Sequence, residues 1–373
     1  LNYRLITTDH ALKNICDRAC THTQVALDTE FIRTRTYYPQ LGLIQLYDGQ
    51  NLSLIDPLQI KEWQPFCALL QNQNTVKFLH AASEDIEVFL NAFNQLPTPM
   101  IDSQILAAFV GHPVSSGFAT LVAQYCHVEL SKSETRTDWL IRPLSQKQCH
   151  YAAADVFYLL PLARQLLKNT AAAGWLDAVK DECALLCQRR SKILPPELAY
   201  REIANAGQLL PHQLVCLQKL AEWRLVEARK QDLAVNFVIR EEHLWQIARH
   251  RPSSFSKLIS LGLSERERRL YGQTLLALVK QANAQSATPL PPLANNLIEQ
   301  PAYKKVFQDI KAVIQQISTS SGLSNELLAS RRQINQLLKW HWQLTTTSET
   351  PELMTGWRSK LLAQSLREIL KQY

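Results

Sequence analysis

The rhythm of apolar and polar positions changes once along the chain, near residue 175. Before that point short apolar runs alternate with helix-period stretches, and after it only the helical rhythm remains. Val25-Ala26-Leu27 is a buried-type run leading into Asp28, and 41–47 and 52–55 read as two more strands. The Asp48-Gly49 turn signal between them predicts a hairpin. A further strand is expected at 76–79. Helices are expected at about 9–20, 61–71, 83–94, 102–110, 116–126, 145–151 and 152–168. Ser83 with Glu84 and Asp85 suits a helix N-terminus, as does Asp102. Hairpin strands followed by strands alternating with helices predict an α/β domain with a mixed sheet.

Past 175, Leu214, Leu217, Ala221 and Leu225 mark one helix stripe. Leu244, Ile247 and Ala248 mark a second, and Leu275, Leu276, Leu278 and Val279 a third. The segment 287–293 is a proline-rich break, after which helical patterns resume at 301–318, 324–343 and 351–371. The stretches 210–285 and 300–371 are alike in length and in helical character, and each carries tryptophan on a helix (Trp223; Trp340 and Trp342). A diverged tandem repeat is expected. The expected division is one domain at 1–170, a helical connector at 171–209, and helical domains at 210–289 and 290–373.

A chain of 373 residues suits two or three domains. Its hydrophobic share of 46% against 20% charged excludes a disordered polymer. No stretch approaches the roughly 18 apolar residues of a membrane span. The opening LNYRLITTDH lacks the apolar core of a signal peptide, so a cytoplasmic chain is expected. Leu1 rather than Met stands first, which suggests a trimmed or misread start. The eight cysteines include no C-x-x-C pair, and reduced thiols are expected. Charge is more telling. Residues 1–200 hold 17 Lys and Arg against 19 Asp and Glu, whereas 201–373 hold 23 against 14. A positive excess confined to the helical half suits a polyanion, most simply nucleic acid. No oligomer signal is present, and a monomer is expected.

The candidate chemistry is acidic. Asp28 and Glu30 are two apart at a strand end, so their side chains share a face. Taken singly, each further acid has a plain account. Asp85 suits a helix dipole, Asp102 an N-cap, and Asp155 lies one turn beyond Tyr151 on a helix.

Taken together, Leu27-Asp28-Thr29-Glu30-Phe31, Leu79-His80 through Asp85, and Tyr151-Ala152-Ala153-Ala154-Asp155 resemble the DEDD exonuclease family. Residues 33–41, Lys132-Ser133, Asp138-Trp139-Leu140 and Arg142-Pro143-Leu144 are similar to the bacterial ribonuclease D family. Residues 217–279, with Trp223-Arg224, Val235-Asn236-Phe237-Val238, Ile247-Ala248 and Leu261-Gly262-Leu263, resemble the HRDC domain shared by that family and RecQ helicases. A second, more diverged copy is then expected at 300–371. The resemblance implies an α/β, ribonuclease H-like exonuclease domain with a mixed sheet, followed by two all-α HRDC-like helical domains. It implies a metal-dependent 3′→5′ exoribonuclease that trims the 3′ ends of transfer-RNA precursors and other structured RNAs, releasing 5′-mononucleotides. It further implies two divalent ions, Mg²⁺ or Mn²⁺, on Asp28, Glu30, Asp85 and Asp155, whose hard oxygens suit such ions. His80 receives no role and is expected to be packed or hydrogen-bonded. Rival expectations are a DNA 3′→5′ exonuclease of the same fold and a noncatalytic nucleic-acid-binding protein. The HRDC-like regions favour RNA, and the complete acidic set favours catalysis.

Arg33, Arg35, Lys132 and Arg136 are candidate phosphate contacts, with solvated surface charge an equally good account. Tyr37 and Tyr38 suit either base stacking or a core. DEDD enzymes divide into Tyr-x-x-x-Asp and His-x-x-x-x-Asp groups, and this chain satisfies both through Tyr151 and His150. On a regular helix Tyr151 lies about 40° from Asp155 around the axis and His150 about 140°. Tyr151 is therefore the residue expected to position the attacking water.

Overall fold

The computed structural model describes residues 1–130, 134, 137–284, 297, 300–344 and 349–373. The first part of the chain runs β1 (Arg4–Ile6), α1 (Asp9–Ala19), β2 (Gln24–Ile32), β3 (Gln40–Tyr47), β4 (Leu52–Ile55), α2 (Gln64–Gln71) and β5 (Val76–Leu79). It continues with α3 (Ser83–Phe93), β6 (Met100–Asp102), α4 (Ser103–Phe109), α5 (Phe118–Cys126), α6 (Gln146–Ala172) and α7 (Leu176–Ser191). The strands form one sheet in the order β1-β4-β3-β2-β5-β6. β2, β3 and β4 form an antiparallel meander, while β1, β5 and β6 pair in parallel, so the sheet is mixed. Val25, Ala26 and Leu27 are all fully buried. Consecutive side chains point to opposite faces, so this central strand is covered on both sides.

Three local readings change. β1 and β6 have three residues each, too few to display an alternation. The helix expected from 61 begins at Gln64. The helices expected at 145–151 and 152–168 are one 27-residue helix, α6. Ser145 and Gln148 start it with a capping box, and Pro161 lies inside it without ending it. The alanines at 152–154 carry no bulky stripe, which is why the pattern splits there.

The helical half comprises α8 (Pro211–Gln231), α9 (Val235–Val238), α10 (Glu241–His250), α11 (Phe255–Ser260) and α12 (Glu265–Ala284). It then continues with α13 (Tyr303–Ser321), α14 (Asn325–Leu328), α15 (Arg331–His341) and α16 (Gly356–Leu370). The expected break at 287–293 lies outside the described residues. The segment 171–209, expected as a helical connector, divides between two cores. Ala178, Val179, Cys183 and Cys187 of α7 join the core of the α/β domain, whereas Ala199, Tyr200, Ile203 and Leu209 join the core of α8–α12.

The two helical domains attach differently. The second shares one continuous apolar core with the sheet domain. Trp357 meets Phe109 edge-on at 5.0 Å, and its indole N–H donates to Glu182 at 3.2 Å. Buried Arg358 also donates to Glu182 and to the carbonyls of Leu327 and Leu328. Arg189 on α7 is paired with Glu352. Burial alone would raise the Glu352 carboxyl, but bonds from Arg189 and Gln333, with Arg332 nearby, hold it down at about 2. The first helical domain instead grips the loop between β2 and β3. The Ala234 amide donates to the Arg35 carbonyl at 2.8 Å, and the Tyr38 amide to Asp232 at 2.9 Å. All eight cysteines are free thiols. No helix among the described residues is long and apolar enough to cross a membrane.

Candidate active site

β2 and α6 bring three carboxylates together. One oxygen from each of Asp28, Glu30 and Asp155 lies within 4.8 Å of the others, and all three residues are half-buried. The strand period aligns the first two, and the β2–β3 register shifts between Glu30 and Phe31. Such bulges re-aim side chains beside functional sites. Asp85 is buried in the first turn of α3. The Thr29 hydroxyl, between Asp28 and Glu30 in sequence, donates to Asp85 at 2.5 Å. It thereby links the start of α3 to β2.

The electrostatics are those of crowded acids. Burial raises the Asp28 carboxyl well above its ordinary range, and the charges of Asp85, Asp155 and Glu30 raise it further. Burial and the charges of Asp155 and Asp85 push Glu30 up to about 9. Burial lifts Asp155 to about 7. Asp85 rises only to about 6, because the Thr29 hydroxyl bond opposes its burial.

Asp102 does more than cap α4. Its carboxylate accepts from the Gln104 amide at 2.8 Å, and also from the amides of Ala81 at 3.0 Å and Ala82 at 2.8 Å. Ala81 sits at φ +52°, a left-handed conformation that a residue with a side chain adopts only when its surroundings hold it there. Asp102 thus shapes the turn that launches α3 and orients Asp85. Sequence reasoning saw only the cap, because the other two bonds span about twenty residues. His80 is packed and hydrogen-bonded as expected. Its Nδ1 lies 2.8 Å from the Ser103 hydroxyl, and its ring 5.4 Å from that of Phe118.

Because α6 begins at Gln146, it is regular through 150–155. Tyr151 is half-buried, with its ring 6.2 Å from Trp139. His150 is exposed and meets Tyr3 edge-on at 5.8 Å. Trp139 reaches Tyr151 because Gly42 on β3 has no side chain. A Cβ there would lie 2.7 Å from the Trp139 Cβ and carbonyl oxygen. Arg142 secures the same segment, pairing with Asp56 at 2.8 Å and donating to the Gly42 carbonyl at 2.7 Å. The motif 138–144 therefore forms the wall beside Tyr151.

The candidate phosphate contacts are arranged otherwise. Arg33 pairs with Glu87 at 2.8 Å and donates to the Tyr37 carbonyl at 2.7 Å. Arg35 lies 6.0 Å over the Phe237 ring of the first helical domain. The Tyr37 hydroxyl accepts from Arg229 at 3.2 Å, and the Tyr37 and Tyr38 rings meet edge-on at 4.9 Å. This loop ties two domains together, a role invisible without the partner helix. Lys132 and Arg136 lie outside the described residues.

Known proteins resemble this chain along its whole length. A family model described as 3′-5′ exonuclease matches residues 3–171, and an HRDC domain model matches 213–279. The C-terminal HRDC domain of ribonuclease D matches 301–366. Ribonuclease D of Serratia proteamaculans is 66% identical, with both chains covered in full. That of Haemophilus influenzae is 43% identical, with 99% of this chain and 93% of the relative covered. The crystal structure of Escherichia coli RNase D, an exoribonuclease involved in structured RNA processing, superposes with a TM-score of 0.98 at 56% identity, covering 100% of each chain. The chain belongs to the ribonuclease D family of 3′–5′ exoribonucleases.

Proposed function

We propose that this exoribonuclease trims transfer-RNA precursors and other structured RNAs from the 3′ end, using two divalent ions, Mg²⁺ or Mn²⁺, on Asp28, Glu30, Asp85 and Asp155. The observation that carries this reading is the convergence of three carboxylate oxygens within 4.8 Å, with Asp85 close enough to raise Asp28. Such a set repels itself unless protonated or bound to cations, and oxygen donors suit these two ions. When bound, the ions supply the charge that ionises water and stabilises the departing 3′ oxygen. Tyr151, one turn before Asp155 and on the same side of α6, holds the attacking water through its hydroxyl. Both helical domains are basic and grip the RNA backbone, which makes binding salt-dependent. For Arg33 and Arg35 we favour the tethering role over phosphate contact. An RNA labelled at its 5′ end should shorten progressively in Mg²⁺ and stay intact in EDTA, while a 3′ label leaves as a mononucleotide. Internal fragments from the 5′-labelled RNA at early times would refute the exonucleolytic reading.

The raised carboxyls have a consequence for stability. Asp85, Asp155 and Glu30 titrate in the metal-free fold near 6, 7 and 9, and near 4 when unfolded. Between pH 4 and 9 the folded state therefore holds protons that the unfolded state has released. Stability from these groups is complete at the acid end and is lost as pH rises through the folded values. The Tm of metal-free protein should fall between pH 5 and pH 8, and Mg²⁺ should recover more of it at pH 8. Asp155→Asn should flatten the decline and raise the metal-free Tm at pH 8. Parallel wild-type and Asp155→Asn curves would contradict the crowding.

Tyr151→Phe should lower kcat by about 10²-fold with little change in RNA affinity, the scale expected for one positioned proton-handling group. His150→Ala should stay close to wild type, since its ring is exposed against Tyr3. A crippled His150→Ala beside an active Tyr151→Phe would place the chain in the histidine group.

A further inference from the structure

The second helical domain presents a face that the active site does not use. Arg331, Asn335 and Lys339 stand one turn apart along α15, and Arg332, Gln336 and Trp340 form a parallel row beside them. The two rows line a concavity of about 510 Å³. Trp340 is 38% exposed and makes no ring contact among the described residues. Arg331 and Lys339 have no carboxylate within 4 Å among the described residues, whereas Arg332 beside them is paired with Glu352 at 2.9 Å. The acid bordering the concavity, Glu349, is already paired with Lys192 at 2.7 Å. Residues 301–373 hold ten Lys and Arg against five Asp and Glu, so the surrounding field is also positive.

This combination selects its ligand. An exposed indole offers a flat apolar surface, and Arg331 and Lys339 beside it favour an anion at its edge. Arg331 and Lys339 are about 12 Å apart along the helix axis, which allows contacts to separate phosphates along a strand rather than to one ion. A duplex keeps its bases stacked internally, whereas an unpaired base can lie on an aromatic ring. We propose that this face binds a single-stranded stretch of RNA. Trp340 stacks on an unpaired base while Lys339 holds the phosphate beside it and Arg331 one farther along the strand. The proposal rests on RNA being the substrate.

Binding of a long unstructured oligoribonucleotide to the full-length chain tests it, measured in EDTA so that cleavage plays no part. Trp340→Ala should weaken the Kd about tenfold, and Trp340→Phe should retain most of the affinity. Arg331→Ala with Lys339→Ala should lower the log–log salt slope by about 1.4, the share of two single-strand phosphate contacts. Hydrolysis of a dinucleotide, measured separately in Mg²⁺, should stay at the wild-type rate in all these variants. Wild-type affinity in Trp340→Ala together with an unchanged salt slope would overturn the proposal. So would a polyglutamate peptide that binds this face more tightly than RNA, since that would identify an acidic protein partner instead.

Discussion

Asp155→Asn is expected to lower kcat by about 10³-fold or more, with RNA affinity largely kept, the scale seen when one member of a catalytic unit is removed. Asn keeps the shape of the side chain but offers one neutral oxygen in place of a carboxylate. Asp155 shares the 4.8 Å cluster with Asp28 and Glu30, so losing its charge loosens the hold on the cations. Asp28→Asn, Glu30→Gln and Asp85→Asn should fall in the same range. Asp85→Asn keeps an amide oxygen that can accept from the Thr29 hydroxyl, so α3 should stay in place and the loss should appear in kcat. Steady-state kinetics beside RNA binding in EDTA read kcat and affinity separately. Mg²⁺-dependent cleavage at the wild-type rate in Asp155→Asn would remove this acid from the site.

Arg358→Ala is expected to destabilise the full chain by about 3 kcal/mol, the lower end of the usual cost of breaking a buried ion pair, since Glu182 keeps the Trp357 N–H at 3.2 Å and Arg189 at 3.8 Å. Arg358 and Glu182 are both buried at the seam between α16 and α7. The guanidinium also satisfies the carbonyls of Leu327 and Leu328, at 2.9 and 3.0 Å. Trp357 and Phe109 pack beside this pair, so the second helical domain belongs to the stability of the sheet domain. A chain cut near 195 would leave the α7 surface bare. Replacing both partners, Arg358→Met with Glu182→Leu, should recover much of the loss. Urea denaturation reads both variants. A loss below about 1 kcal/mol in Arg358→Ala would mean that Arg189 or water takes over at Glu182.

What the sequence reveals here follows the range of the interactions. Asp28 with Glu30, and Tyr151 with Asp155, are legible because strand and helix periods are local. The hairpin is legible because its turn residues stand between two apolar runs. Asp102 reads as a cap because the Gln104 bond is local, while its bonds to Ala81 and Ala82 require β5 and β6 to be paired first. Thr29 carries no signal at all, since its partner Asp85 lies 56 residues away. The loop at 33–39 reads as basic and aromatic, which suits RNA as well as it suits the Arg229 and Asp232 contacts it makes. The docking of the second helical domain is equally hidden. Glu182, Arg189, Glu352 and Arg358 look like ordinary helix-surface charges until α7 and α16 are brought together.

The most direct test of the acidic site is a count of Mn²⁺ ions bound per full-length chain, with wild type and Asp155→Asn compared at pH 8. The account predicts two ions on the wild type, and at most one, held more weakly, on Asp155→Asn. A wild type that binds none, or an Asp155→Asn chain that binds two as tightly, would contradict it.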